Sequence, residues 1–334
     1  MTRTKLKFAI TDYGFASLDS ERSVIESAGG ELMTFQCRSE AEVIDADAIL
    51  VQWAPITGSV INQLSRCKVI VRYGIGVDNV DLDAARQRGI TVCNVPDYCI
   101  DEVADHTLAL ALALIRQIPA TSGALRTGLW KPVPPLSMPA TRQMTFAAVG
   151  YGRTARAVLD RARSFKFNLA TCDPYLSSNS NIPDDVNFLD FDAVLRAADV
   201  ISLHVPLNGD TVHMIDSSAL SKMKSGAFLI NTARGGLIDT VALADALRTG
   251  RIGGAGLDVF EIELLPPDHP LLACENVILT PHIAWYSRLS VETLQRMAAE
   301  EAGPRPGWRR GAQQSHLVTS SFWYSKGQVR LRSA

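Results

Sequence analysis

The chain has 334 residues, of which 47% are hydrophobic and 20% charged, and its formal net charge is −2. This length exceeds one typical hydrophobic core, so two domains are expected. The near-neutral charge gives no reason to expect a nucleic acid or an anionic membrane as a partner. The cysteines lack the C-x-x-C and Cys/His spacings of zinc sites, so no metal is expected. They are Cys37, Cys67, Cys93, Cys99, Cys172 and Cys274.

Cysteines without a pairing pattern are typical of reduced thiols in the cytoplasm. The N-terminal residues enter a strand-like run directly, without the apolar region of a signal peptide. The longest apolar run, residues 108–115, is far shorter than the roughly 20 residues that cross a bilayer. We therefore expect a soluble cytoplasmic protein.

Strand-like and helix-like segments alternate through the first hundred residues. The predicted helices cover residues 19–28, 58–65 and 81–88. The predicted strands cover residues 7–13, 31–37, 48–53, 68–74 and 90–95. Such alternation is typical of βα units in a parallel sheet with both faces covered.

A longer segment interrupts this alternation at residue 101. Its composition predicts one well-buried helix over residues 101–122, and a Pro- and Gly-rich surface loop follows. The strand pattern then restarts, so we expect two doubly wound α/β domains. The second set of strands covers residues 144–150, 167–173, 199–205, 227–233, 254–260 and 276–282.

The strongest motif is Gly150-Tyr151-Gly152-Arg153-Thr154-Ala155, which matches G-x-G-x-x-[GA]. It lies between a predicted strand and an amphipathic helix, and the next strand ends at Asp173, as a dinucleotide site requires. Gly150 and Gly152 would allow a tight turn and a close approach to pyrophosphate, with Arg153 as a charge partner and Thr154 beside it. Asp173 would accept hydrogen bonds from the ribose hydroxyls and repel a 2′-phosphate, so NAD is the predicted cofactor. FAD and S-adenosylmethionine proteins use related folds, so the motif does not specify hydride transfer.

Polar residues follow several apolar strands in the second half of the chain. They are Arg234, Asp258, Glu263 and His282, and ligands of open parallel sheets bind beyond these carboxyl ends. Taken singly, each could be an ordinary surface or buried polar residue. Together they suit reduction of a keto acid, in which a histidine protonates the oxygen and an arginine pairs with the carboxylate.

From residue 45 to 300 the chain resembles the D-isomer-specific 2-hydroxyacid dehydrogenase family. The resemblance rests on RYGIGVDNVDL, VCNVPDYCIDEVADHTLAL, VGYGRTARAV, NTARGGLID, GLDVFEIE and TPHIAWYS, in the family's order and spacing. The AWYS sequence after His282 is similar to the branch that contains the C-terminal-binding corepressors.

The resemblance implies a role for each matching residue. Arg234 would bind the substrate's keto and carboxylate oxygens, and Glu263 would pair with His282, the acid–base catalyst. Asp258 would hold the nicotinamide carboxamide, and Trp285 would line the substrate side-chain pocket. Residues that would line the cofactor are Val205, Pro206, Thr232 and Ala233. Residues that would bind the substrate carboxylate are Gly74, Ile75 and Gly76, with Arg72 beside them.

The family also implies a domain order and an assembly. A Rossmann NAD domain, residues 101–285, would be inserted into a flavodoxin-like substrate domain formed by residues 1–100 and 286–302. The helix after Asp101 would contribute to a homodimer contact. Residues 303–334 depart from the family and contain no Asp or Glu. They predict either a disordered tail or a shifted reading frame beginning near Ala302.

Two functions from different classes fit this sequence. The first is an NAD-dependent dehydrogenase acting on D-2-hydroxyacids, for which Arg234, Glu263 and His282 are intact. The second is a dimeric NADH-binding regulatory protein related to the corepressors, with little turnover. Formate dehydrogenases share the scaffold but would need an Asn- and Gln-based site in place of Glu263, so this function is rejected. The sequence leaves the identity of the 2-hydroxyacid open.

Overall fold

The computed structural model describes residues 5–36, 43–130, 138–176 and 182–303. Three parts of the chain that were discussed above lie outside the described residues. They are the predicted tail after Gly303, residues 131–137 of the predicted loop, and Cys37. The chain divides into two compact units, Met1–Tyr98 with Ser287–Ala334, and Cys99–Tyr286.

The first unit is built on a parallel sheet of five strands in the order β2-β1-β3-β4-β5. The strands are β1 Lys7–Ile10, β2 Glu31–Thr34, β3 Ala48–Val51, β4 Val69–Arg72 and β5 Thr91–Cys93. The helices are α1 Asp19–Ser27, α2 Gly58–Gln63, α3 Leu82–Gln87 and, from the end of the chain, α10 Arg288–Ala302. Residues of α2 and α3 pack on one side of the sheet, and α10 packs against α1, β3 and β4. This strand order is that of flavodoxin-like folds.

The second unit is built on a parallel sheet of seven strands in the order β12-β11-β10-β9-β6-β7-β8. The strands are β6 Thr145–Val149, β7 Asn168–Cys172, β8 Val186–Phe188, β9 Val200–Leu203, β10 Ala227–Asn231, β11 Ile252–Leu257 and β12 Val277–Leu279. The order reverses between β6 and β9, as in the Rossmann fold, and ligands of such sheets bind at this reversal.

Helices cover both faces of the second sheet. They are α4 Ile100–Ile115, α5 Ile118–Arg126, α6 Arg153–Ser164, α7 Phe191–Ala197, α8 Ser217–Lys222 and α9 Thr240–Arg248. One apolar core joins α4 and α6 to the sheet, and the other joins α7, α8 and α9 to it. These two sheets confirm the predicted fold class of two doubly wound domains, a Rossmann domain inserted into a flavodoxin-like one.

The prediction of one buried helix over residues 101–122 is wrong. The helix ends at Ile115, Gln117 adopts a left-handed backbone with φ of 52°, and α5 follows at 60° to α4. Pro119 explains the break, because proline lacks an N–H group and is tolerated in the first turn of a helix but not in its interior. In addition, none of the residues of α5 is buried.

Candidate active site

The glycine-rich turn lies at the point where the strand order reverses. Gly150 follows β6 with φ of 95°, and its N–H donates to the carbonyl of Cys172 at 2.8 Å. A Cβ atom at residue 150 would lie 2.6 Å from the carbonyl oxygen of His204, which follows β9. The position therefore requires glycine for its backbone angle and for this close approach.

The start of α6 fits a pyrophosphate group. Gly152 is its N-cap, and glycine has no side chain with which to bind the N–H groups of the first turn. These groups and the positive end of the helix dipole suit an anion. Arg153 and Thr154, the first two helical residues, lie at this same end.

Asp173 joins the end of β7 to the glycine-rich turn. The side chain is almost fully buried, and its Oδ2 accepts the N–H of Tyr151 at 2.9 Å. Its Oδ1 accepts the N–H of Tyr175, also at 2.9 Å. Each carboxylate oxygen can accept a second hydrogen bond, as a ribose hydroxyl would require.

The turn after β9 carries Val205 and Pro206, and also a histidine that sequence reasoning did not single out. The N–H of His204 donates to Val149 at 2.8 Å, which fixes this turn beside β6. The ring Nε2 of His204 lies 2.8 Å from the hydroxyl of the buried Ser202. Burial lowers the pKa of His204 to about 4, so the ring is neutral at pH 7.

The turn after β10 is built by a buried asparagine. Asn231 accepts the N–H of Ala233 at 3.0 Å and donates to the carbonyl of Arg234 at 2.8 Å. The side chain thus closes the turn that presents Thr232, Ala233 and Arg234. The guanidinium of Arg234 donates to the carbonyl of Ala233 at 2.7 Å.

Asp258 follows β11 and is completely buried. Its Oδ1 accepts the hydroxyl of Thr280 at 2.6 Å and the N–H of Ile283 at 2.9 Å. Its Oδ2 accepts the N–H of Ala284 at 2.8 Å. The carboxylate therefore organises the loop after β12, and its expected contact with the nicotinamide carboxamide stays a prediction.

His282 lies in that loop and forms a pair with Glu263. Its Nδ1 is 2.7 Å from Oε1 of Glu263, and its backbone is left-handed with φ of 55°. An ionised carboxylate only accepts hydrogen bonds, so Nδ1 carries the hydrogen and Nε2 is the ring atom left for proton exchange. The indole N–H of Trp285 donates to the carbonyl of His282 at 2.9 Å.

Four predicted substrate residues lie in the first unit, at the end of β4. Gly74 has φ of 141°, and a Cβ atom there would lie 1.7 Å from Nη1 of Arg72, so the guanidinium packs directly against the glycine. The carbonyl of Ile75 accepts the side-chain N–H of Asn94 at 2.6 Å, and Gly76 follows in the same loop. Asn94 was not singled out from the sequence, although an asparagine at a strand end is a usable signal for such a turn.

The remaining predicted residues all lie in the second unit, beyond the carboxyl ends of β6, β7, β9, β10, β11 and β12. Within the described part of the chain, no group of three or more His, Cys, Asp or Glu side chains could hold a metal ion. None of the described helices is by itself long and apolar enough to cross a membrane. By length and composition, α4 and α5 meet that test together, as a bent pair.

The strand order, the glycine-rich turn and the acidic residue after β7 define a dinucleotide-binding domain of the Rossmann class. Comparison with known proteins agrees. Residues 108–284 match the model of the D-isomer specific 2-hydroxyacid dehydrogenase, NAD binding domain.

Relatives and solved structures extend the match beyond this domain. The glyoxylate reductase of Thermofilum pendens is 41% identical over 259 residues, which cover 76% of each chain. The D-3-phosphoglycerate dehydrogenase of Archaeoglobus fulgidus is 36% identical over 81% of this chain, but this match spans 52% of that longer protein. The D-lactate dehydrogenase of Aquifex aeolicus, solved with NAD and lactic acid, is 28% identical. It covers 88% of this chain and 93% of its own, with a TM-score of 0.81.

The chain belongs to the D-isomer-specific 2-hydroxyacid dehydrogenase family, and its cofactor is NAD. This confirms the family and the cofactor predicted from the motifs. The closer resemblance to the corepressor branch stays a prediction.

Proposed function

We propose that the protein is an NAD-dependent oxidoreductase that interconverts a D-2-hydroxyacid and its 2-keto acid. The observation that carries the proposal is the 2.7 Å pair of His282 and Glu263 in the NAD-binding unit. The relatives named as glyoxylate reductase, D-3-phosphoglycerate dehydrogenase and D-lactate dehydrogenase support a small 2-keto acid as substrate.

Bound NADH supplies the hydride that reduces the keto carbon. His282, with hydrogens on both ring nitrogens, gives the Nε2 proton to the keto oxygen and becomes neutral. Glu263 accepts the hydrogen bond from Nδ1 throughout and keeps the ring in one orientation. Arg234 pairs with the keto and carboxylate oxygens of the substrate. In the oxidation direction, His282 takes the hydroxyl proton back.

The other predicted residues bind and orient the substrate and the cofactor. The N–H groups of Gly74, Ile75 and Gly76, with Arg72, receive the substrate carboxylate, and Trp285 contacts the substrate side chain. Gly150, Gly152, Arg153 and Thr154 bind the pyrophosphate, and Asp173 binds the ribose. Val205, Pro206, Thr232 and Ala233 line the cofactor, and Asp258 holds the nicotinamide carboxamide.

Steady-state NADH oxidation with a panel of 2-keto acids tests this proposal. Glyoxylate, pyruvate, and phosphorylated and larger apolar 2-keto acids form the panel. His282→Ala should lower kcat about 10²- to 10⁴-fold, the usual contribution of a general acid. His269→Ala is the matched control, because this histidine binds the N–H of Leu271 instead. Unchanged turnover in His282→Ala would refute the assignment.

The regulatory alternative is not favoured, because the relatives that match this chain carry the names of enzymes. It makes a different prediction in the same assay. A regulatory protein would bind NADH tightly and turn over none of the 2-keto acids.

We further propose that the protein is a homodimer that uses α5. Apolar side chains at the start of this helix, near its end and just beyond it are about half exposed or more, namely Ile118, Leu125, Leu129 and Trp130. Exposed apolar patches of this kind mark interfaces. Leu125→Asp should shift the mass in light scattering from dimer to monomer, whereas Leu289→Asp, on an exposed leucine of α10, should not. A dimer that survives Leu125→Asp would argue against this surface.

A cytoplasmic location is part of the same proposal. Five cysteines within the described residues are free thiols, which suits a reducing compartment.

A further inference from the structure

We propose that Thr280 and His106 are positioning residues, which hold Asp258 and through it the loop of His282 in the geometry for proton transfer. This inference rests on the proposed function, because that function gives His282 its acid–base role. Both residues lie in segments that carry the family resemblance, but the resemblance gives neither of them a role.

The loop of His282 is held by Asp258 at three successive amides. The N–H of His282 donates to the backbone carbonyls of Asp258 at 2.7 Å and of Thr280 at 3.0 Å. The N–H groups of Ile283 and Ala284 donate to the two oxygens of the Asp258 carboxylate. His282 has a left-handed backbone, which residues other than glycine adopt rarely, so the surrounding bonds must maintain it.

The direction of the hydrogen bonds around Thr280 follows from counting protons. A threonine hydroxyl has one proton, and the carboxylate of Asp258 can only accept, so Thr280 donates to it at 2.6 Å. The ring Nε2 of His106 lies 3.0 Å from the same hydroxyl oxygen and must therefore be the donor. Nε2 of His106 carries a hydrogen, and the bonds run from His106 through Thr280 to Asp258.

A buried carboxylate needs such donors, since an unpaired charge away from water is costly. Oδ1 of Asp258 accepts two hydrogen bonds, which fill its two lone pairs. His106 lies 3.7 Å from the same oxygen, close enough to add a favourable interaction. Loss of the Thr280 hydroxyl would leave Oδ1 under-bonded beside the amides that hold His282.

Close packing of α4 on the sheet places His106 at this point. A Cβ atom at Gly256 of β11 would lie 2.9 Å from Cβ of Leu110, so the glycine allows α4 to approach. His106 is four residues before Leu110 and lies on the same face of the helix. It therefore projects past the end of the strands, where Thr280 follows β12.

The same helical turn also supports Thr232. Thr107 donates its hydroxyl proton to the carbonyl of Val103 at 2.7 Å. The hydroxyl of Thr232, 2.9 Å away, must then be the donor to Thr107. This turn of α4 is thus a common support for the turns after β10 and β12.

Two matched pairs of variants test the proposal in the full-length protein. Thr280→Val removes the hydroxyl at nearly constant shape, and Thr280→Ser restores it. His106→Leu removes the donor, and His106→Gln supplies an amide N–H. We expect Thr280→Val to lower kcat roughly 10- to 100-fold at similar KM, as small misplacements of a catalytic group do. Thr280→Ser should recover most of that loss. His106→Leu should lower kcat in the same direction, and His106→Gln should recover most of the loss seen in His106→Leu.

Thr249→Val is the control for the substitution itself, since its hydroxyl binds the carbonyl of Asp245 on the surface of α9. It should leave kcat at the wild-type value. The proposal is overturned if Thr280→Val retains wild-type kcat, or if Thr280→Ser is as impaired as Thr280→Val. The first result would exclude the hydroxyl, and the second would show that packing is what matters.

A readout that is independent of turnover separates this proposal from the proposed function. The NMR signals of the His282 ring are assigned by their loss in His282→Ala. They should shift in Thr280→Val and return in Thr280→Ser. If the wild type reduces none of the 2-keto acids, the proposed function fails, while a shift of the ring signals still supports positioning by Thr280. Unchanged ring signals in Thr280→Val would overturn the positioning.

Discussion

Replacement of Gly150 by alanine should weaken both NADH binding and the fold. The added Cβ atom would start 2.6 Å from the carbonyl oxygen of His204, and ordinary contact begins at 3.4 Å, so the two turns must separate by about 0.8 Å. Alanine is also disfavoured at φ of 95°, at a cost of about 1–3 kcal/mol. Because these turns form the cofactor site, we expect the NADH dissociation constant to rise roughly 10- to 100-fold, or about 1.4–2.8 kcal/mol.

Gly250→Ala is the matched control for backbone strain. Gly250 also has a positive φ, of 71°, but nothing lies within 4 Å of its added Cβ atom. It precedes the amino end of β11, whereas the predicted cofactor residues follow the carboxyl ends of the strands. This variant should lose about 1 kcal/mol of stability and keep its affinity for NADH.

Titration of NADH by protein fluorescence measures the dissociation constants, and urea unfolding measures the stabilities. Wild-type affinity in Gly150→Ala would refute the reasoning. An equal loss of affinity in Gly250→Ala would show that strain acts through the whole domain rather than through contact with His204.

Three further predictions follow from the contacts around the site and in the first unit. Asp173→Ala removes the acceptor for Tyr151 and Tyr175, so it should raise the NADH dissociation constant and reduce the preference for NADH over NADPH, measured by parallel titrations. Trp285→Phe removes the indole N–H that donates to the carbonyl of His282. We therefore expect kcat to fall even for those 2-keto acids for which the enzyme's relative preference is unchanged. Burial raises the pKa of Glu21 above its usual 4.5, although hydrogen bonds from its backbone, Tyr73 and Gln295 lower it. The contribution of this residue to stability is therefore full below pH 4.5 and declines as the pH rises through the raised pKa. Urea unfolding over a pH series should show this decline in the wild type and lose it in Glu21→Gln.

Most strands could be predicted because apolar runs bounded by polar turns determine where a buried parallel strand lies. The short edge strand β8 was missed because only one of its three residues, Val186, is buried, so its apolar pattern is weak. The long helix was predicted wrongly because apolar residues continue past Ile115, and the break at Pro119 was overlooked. Composition therefore located the core of each unit better than it located the breaks between elements.

Residues of the candidate site could be predicted from the sequence where they lie in a recognisable motif. The position of Asp173 follows from its place at the end of a predicted strand, and the pair of His282 with Glu263 follows from the family resemblance. The bonds of Asp258 to backbone amides carry no residue signature. The contact of His106 with Thr280 joins residues 174 positions apart, and it depends on the depth at which α4 packs.

Transfer of deuterium from NADH to a 2-keto acid tests the central claim most directly. The protein is incubated with a 2-keto acid and NADH that carries deuterium at the transferred position, and the product is analysed by chiral chromatography and mass spectrometry. We predict a D-2-hydroxyacid with one deuterium at C2, formed by the wild type and His269→Ala and formed far more slowly by His282→Ala. An L-product, or a product without deuterium, would contradict the account.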